Sequence, residues 1–124
     1  MLLTKGDPRA LEEARELSGK AIASSPGVAS YYDTLARVES KLGNADAAVS
    51  AFQKALARDG SSLEAMIGLA DVYSRSNRRD EARQQLAQID GALRGSPRLP
   101  ASLAKQLETV RSSLRSQVES GRVE

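Results

Sequence analysis

Apolar residues recur along most of this chain at intervals of three and four, and no stretch alternates strictly between polar and apolar positions. That is the period of an amphipathic helix and not of a half-buried strand. Ala10, Leu11, Ala14, Leu17, Ala21 and Ile22 follow it, and Asp7-Pro8 supplies a start signal for a helix over 7–25. Pro26-Gly27 ends that segment. Tyr32, Leu35, Ala36, Val38 and Leu42 mark a second helix over 29–42, which Gly43-Asn44 stops as a left-handed cap. Asp46 is placed to cap a third helix, which runs to about residue 59. Ser61 and Glu64 have the spacing of a capping box for a fourth, over 61–77. Asp80 is placed to cap a fifth, to residue 93. After the breaker at 95–100, a last helix covers 101–120, with Gly121 placed to close it and the tail from Gln117 placed to fray. Leu103, Leu107, Val110, Leu114 and Val118 form one narrow stripe on it, and its other faces carry Ser, Lys, Arg and Glu.

Sliding the sequence against itself by 34 residues brings these segments into register. Tyr32 falls on Met66, Leu35-Ala36 on Leu69-Ala70, Val38 on Val72 and Gly43 on Asn77. Asp46 falls on Asp80, Ala48 on Ala82 and Phe52 on Leu86. The reverse shift places Ala48 on Ala14, Lys54 on Lys20, Ala55 on Ala21 and Leu56 on Ile22. Small residues such as Ala36 and Ala48 let two helices approach, and large ones such as Tyr32 and Phe52 fill the space beside them.

A helix–turn–helix period of this length, with Tyr32, Leu35, Ala36, Ala48, Phe52 and Ala55 in one copy and Met66, Leu69, Ala70, Tyr73, Ala82 and Leu86 in the next, resembles the tetratricopeptide repeat. Glu39 in place of the pattern's Tyr, Gly60 in place of its Pro and Ile89 in place of its last Ala are the departures. The resemblance implies an all-α fold, a right-handed α-solenoid of antiparallel helix pairs with a C-terminal capping helix. It divides one domain over 1–124 into a truncated repeat (1–28), two full repeats (29–62 and 63–96), a capping helix (97–120) and a frayed tail (121–124). Residues 1–5 then look like the stump of an earlier helix, so that Leu2, Leu3 and the apolar stripe over 7–25 form an open edge suited to self-association. The phrase Gly6-Asp7-Pro8-Arg9-Ala10-Leu11-Glu12, with Tyr32-Asp33-Thr34-Leu35, is also similar to the ends of large bacterial repeat proteins of exopolysaccharide production and export. A chain of that type is expected in the periplasm, and otherwise in the cytoplasm.

Composition narrows the chemistry. The chain has no Cys and no His, which removes thiol nucleophiles, His-based acid–base pairs and His/Cys metal sites. Ser24-Ser25 and Ser112-Ser113 therefore lack a base, and the glycines do not form a phosphate loop. No catalytic residue, metal ligand or cofactor is expected, and the chain does not read as an enzyme. Lys+Arg (18) nearly balances Asp+Glu (16), and aromatics make up 3% of the chain, a poor match to a nucleic-acid binder. No apolar run is long enough for membrane insertion. The redox compartment stays open, since absent cysteines fit cytosol and periplasm alike.

What remains is a protein or peptide interaction scaffold, with a regulatory or substrate-guiding domain of a carbohydrate-active or polysaccharide-export complex as the alternative. In the resembled family, the groove that holds peptides is lined by the first helix of each repeat. The matching positions here are Asp33, Arg37, Ser40 and Lys41, then Ile67, Asp71, Ser74 and Arg75. Arg75, Arg78, Arg79 and Arg83 form a second basic cluster near a turn, partly balanced by Asp80 and Glu81.

Overall fold

A computed structural model of the chain describes residues 8–95 and 98–122, with side chains over 9–94 and 98–116. The readings made of Leu2, Leu3, the stump at 1–5, the Asp7 cap, residues 96–97 of the breaker, Val118 and the fraying tail lie outside the described residues or side chains. Among the described residues the chain is all-α, with six helices and no strand: α1 (Pro8–Ser24), α2 (Ala29–Lys41), α3 (Ala45–Arg58), α4 (Leu63–Arg75), α5 (Arg79–Gly95) and α6 (Ala101–Arg122). It divides into two compact units, Met1–Ala65 and Met66–Glu124.

In the first unit α2 packs against both α1 and α3. Ala36, Ala48, Phe52 and Ala55 are buried to within 1% of complete, which is the small-beside-large packing that brings helices close. The α2–α3 turn follows from one left-handed residue. Gly43 has φ +87°, its N–H donates to the Ser40 carbonyl (3.1 Å), and the Asn44 N–H donates to the Glu39 carbonyl (2.9 Å). These two bonds satisfy carbonyls that a helix end otherwise leaves open. At the other end of the unit, Arg58 lies over the Tyr32 ring at 4.3 Å and donates from Nε to the Pro26 carbonyl (2.7 Å). The Tyr32 hydroxyl donates to the same carbonyl (3.0 Å), so the α1–α2 loop is held from α2 and from α3.

In the second unit the α4–α5 turn repeats the first one bond for bond. Asn77 takes the left-handed position (φ +63°) and donates to Ser74 O (3.3 Å), and Arg78 N–H donates to Tyr73 O (2.8 Å). Ile67, Leu69, Ala70, Val72 and Tyr73 of α4, with Ala82 and Ile89 of α5, are buried. Leu107, Val110 and Leu114 of α6 are buried too, while Lys105, Glu108, Ser112 and Arg115 face outward, as a single apolar stripe requires.

Several local expectations are corrected. Ser62, not Ser61, caps α4: its Oγ accepts from Ala65 N–H at 3.2 Å, because the Ser61 hydroxyl is taken by Asp59 Oδ1 (2.9 Å). Asp46 and Asp80 lie inside the first turns of α3 and α5 and do not cap them. A carboxylate there still suits the positive end of the helix dipole. Gly121 does not close α6, which continues to Arg122; a glycine weakens a helix but does not by itself end one.

Candidate functional site

The expected binding row begins on α2. Asp33 and Arg37 stand one turn apart on it, and Arg37 Nε donates to Asp33 Oδ2 at 2.9 Å. The same guanidinium reaches the Glu64 carbonyl (3.4 Å) and sits 6.0 Å from the Phe52 ring centre. Arg37 is thus held in place on three sides. Lys41, one turn further on, is exposed and has no ion-pair partner among the described residues. Ser40 is half-buried. The Asp33 side chain is only 14% exposed, and its Oδ1 is buried without a hydrogen-bond partner among the described residues. It borders a notch of about 170 Å³ lined by Ala29, Ser30, Asp33, Asp59, Ser62 and Glu64.

The second half of the row is not open along its length. Asp71 and Arg75 form a helix-surface ion pair (3.2 Å), with Arg75 exposed. Ile67 (0%) and Ser74 (1%) are buried, against expectation. For Ser74 the reason is α6: its hydroxyl donates to Ser113 Oγ on that helix at 3.0 Å, so this part of α4 is a packing face. Arg111 Nη2, also on α6, donates to Asp90 of α5. In the basic cluster, Arg83 lies 4.0 Å from Asp80, and Arg78 and Arg79 are half-buried.

A second opening lies in the first unit between α1 and α2. It is a groove of about 330 Å³ lined by Ala10, Leu11, Ala14, Thr34, Arg37, Val38 and Lys41. Its floor is apolar and its α2 rim carries two cations. Deeper between the same helices is a polar contact that the repeat pattern does not foreshadow. Glu39 is 7% exposed. Its Oε2 accepts from Arg15 Nε of α1 (3.1 Å) and its Oε1 from Asn44 Nδ2 (2.8 Å). The bond to Glu39 raises the Arg15 guanidinium pKa, with Glu12 (3.3 Å) adding to it. A buried carboxylate with both oxygens satisfied is tolerable where an unpaired one is not.

A family model described as tetratricopeptide repeat matches residues 39–106. That match covers more than half of the chain, and its length is twice the 34-residue shift that superposes the sequence on itself. The chain belongs to the tetratricopeptide repeat family. No curated protein sequence matches it. Repeats of this family commonly mediate protein–protein contact. Among the described residues no helix is long and apolar enough to cross a membrane. None of their carboxylates gather into a group of three arranged to hold a metal ion.

Two features were out of reach of sequence reading. The α1–α2 groove needs the packing of two helices to exist. The Arg15–Glu39 pair spans 24 residues, and its signal was the charged residue at a position the repeat pattern fills with Tyr.

Proposed function

We propose that this tetratricopeptide repeat chain is a non-catalytic interaction scaffold whose binding face is built on α2 around Arg37 and Lys41. The observation that carries the reading is the contrast between these two cations. Arg37 is fixed by Asp33, by the Glu64 carbonyl and by the Phe52 ring, while Lys41, one turn away and exposed, has no ion-pair partner among the described residues. A fixed guanidinium loses little freedom on binding, and an unpaired lysine gains an acidic neighbour without breaking one. Acidic groups of a protein or peptide partner fit this pair. Arg75, exposed and paired with the largely covered Asp71, offers a similar cation in the second unit by itself. Ile67 and Ser74 are left out, being buried.

On the resemblance of its Gly6–Glu12 phrase alone, the partner would belong to a polysaccharide-export complex. The test is quantitative co-purification from the native host with Lys41→Glu and, separately, Arg75→Glu. Loss of the same co-purifying protein with Lys41→Glu, at an unchanged melting midpoint, supports the α2 face. Equal recovery from wild type and both variants overturns it.

A further inference from the structure

Of two neighbouring stripes on α1, the one turned toward α2 is the more polar. It consists of Leu11, Arg15, Ser18 and Ile22: Leu11 and Ser18 are buried and Arg15 reaches Glu39. Ala10, Ala14, Leu17 and Ala21 each precede one of these by a residue, so they lie about 100° around the helix. Those alanines are half-buried and Leu17 is 65% exposed. Burial of apolar surface does not choose clearly between a leucine with an isoleucine and a leucine with three alanines. On α3 a large side chain makes the choice. Phe52 is 1% exposed there, and the residue 34 positions before it is Ser18, buried but small. The positions one repeat on from Arg15 and Glu39 are Val49 and Tyr73, both buried and neither charged. So α1 has a serine in place of the aromatic knob and an arginine in place of the valine.

We infer that the Arg15–Glu39–Asn44 contact is a rotational key: it sets which face α1 turns toward α2, as Phe52 does for α3. The target is held still. Glu39 Oε1 accepts from Asn44 Nδ2 (2.8 Å), and the Asn44 N–H donates to the Glu39 carbonyl (2.9 Å). Its side chain is 9% exposed, which leaves Oε2 to be met from α1. Arg15 Nε meets it at 3.1 Å, while Glu12 on the same helix holds Nη1 at 3.3 Å and fixes the plane of the guanidinium. Turning α1 by one residue would bring the second stripe inward and put Ala14 where Arg15 stands. Nothing on that stripe donates a hydrogen bond from its side chain, so Glu39 would be buried as an unpaired charge. Arg15, with 43% of its side chain exposed, loses little by turning outward, so the turned helix is rejected through Glu39. A charge that is satisfied in one arrangement and stranded in the other specifies a packing even where it adds nothing to stability. Arg15 is in this sense a positioning residue.

The chain has no cysteine, so one introduced thiol reports its own site without background. Leu17→Cys and Ser18→Cys, made one at a time in the full chain, put that thiol on the outward and the inward stripe, and maleimide labelling under native conditions reads the rotation. With the key intact, Leu17→Cys should label faster than Ser18→Cys by about tenfold or more. Moving the donor by one residue, with Arg15→Ala and Ala14→Arg together, should turn the helix after it. Labelling at position 17 should then slow and labelling at position 18 speed up, each by about threefold or more. Loosening of α1 would speed both, so slower labelling at 17 is the mark of rotation. Arg15→Lys keeps a donor in place and should keep the original order. Arg15→Ala with Glu39→Leu removes both charges without stranding either, and there the two rates should come within about threefold of each other. Unchanged rates in the transplanted variant, or faster labelling at both positions, overturn the inference. So does the original order persisting in Arg15→Ala with Glu39→Leu, which decides alone if circular dichroism shows that the transplanted variant does not fold.

Discussion

The α2–α3 and α4–α5 hairpins turn their chains with the same pair of backbone hydrogen bonds, yet they fill equivalent positions with opposite chemistry. Residue 39 is a glutamate and residue 73, one repeat later, is a tyrosine, and both are 7% exposed. The tyrosine buries an aromatic ring. The glutamate needs Arg15 from α1 and Asn44 from the turn. The backbone accommodates either because the turn is set by one left-handed residue, Gly43 or Asn77, and not by the buried side chain. A repeat in this family is therefore a fixed arrangement of backbone with an exchangeable set of contacts. An exchange at one position obliges a partner elsewhere.

The largest effect should come from the big buried residue of each hairpin. Phe52→Ala, at 1% exposure, should cost about 3–5 kcal/mol in urea unfolding. Leu86→Ala, at the equivalent but half-buried position, should cost clearly less. Equal costs would mean that Leu86 is packed as tightly as Phe52, against the difference in their burial. Next come the small residues. Ala48→Leu and Ala82→Leu both replace fully buried alanines and should each cost about 1–3 kcal/mol by overpacking.

The polar exchange is tested by direction. Arg15→Ala strands the Glu39 carboxylate, whereas Arg15→Met with Glu39→Tyr installs the second hairpin's solution in the first. Arg15→Ala should therefore melt lower than the double variant, since replacing a buried ion pair by well-packed groups is often neutral while halving it is not. The reverse order would show that the pair itself stabilises this hairpin. Smaller still is the turn. Gly43→Ala should lose about 1 kcal/mol or more, because alanine is strained at φ +87°. Asn77→Gly should change stability by less than about 0.5 kcal/mol, as asparagine already tolerates that region.

Much of this comparison was legible in the sequence. Periodicity and the Pro-Gly, Gly-Asn and Gly-rich breaks mark out the helices, and the 34-residue shift identifies Ala36, Ala48, Phe52 and their mates as packing residues. What escaped depended on neighbours distant in sequence or on a local competition. Ser61 lost the cap to Ser62 because Asp59 claimed its hydroxyl. Ile67 and Ser74 shared a face with true surface residues until α6, with Ser113, closed over Ser74. Spacing placed Arg37 and Lys41 on one face of α2, but the groove they border was not legible, since α1's contribution to it comes from a packing angle that no local pattern records.

The face of α1 that holds Ala14, Leu17 and Ala21 is open, whereas its copy on α3, with Ala48, Ala51 and Ala55, is closed. Amide hydrogen exchange resolved by helix tests that difference most directly. Amides of α1 around Ala14 and Leu17 should exchange faster than those of α3 around Ala48 and Ala51. Equal protection of the two helices would contradict it.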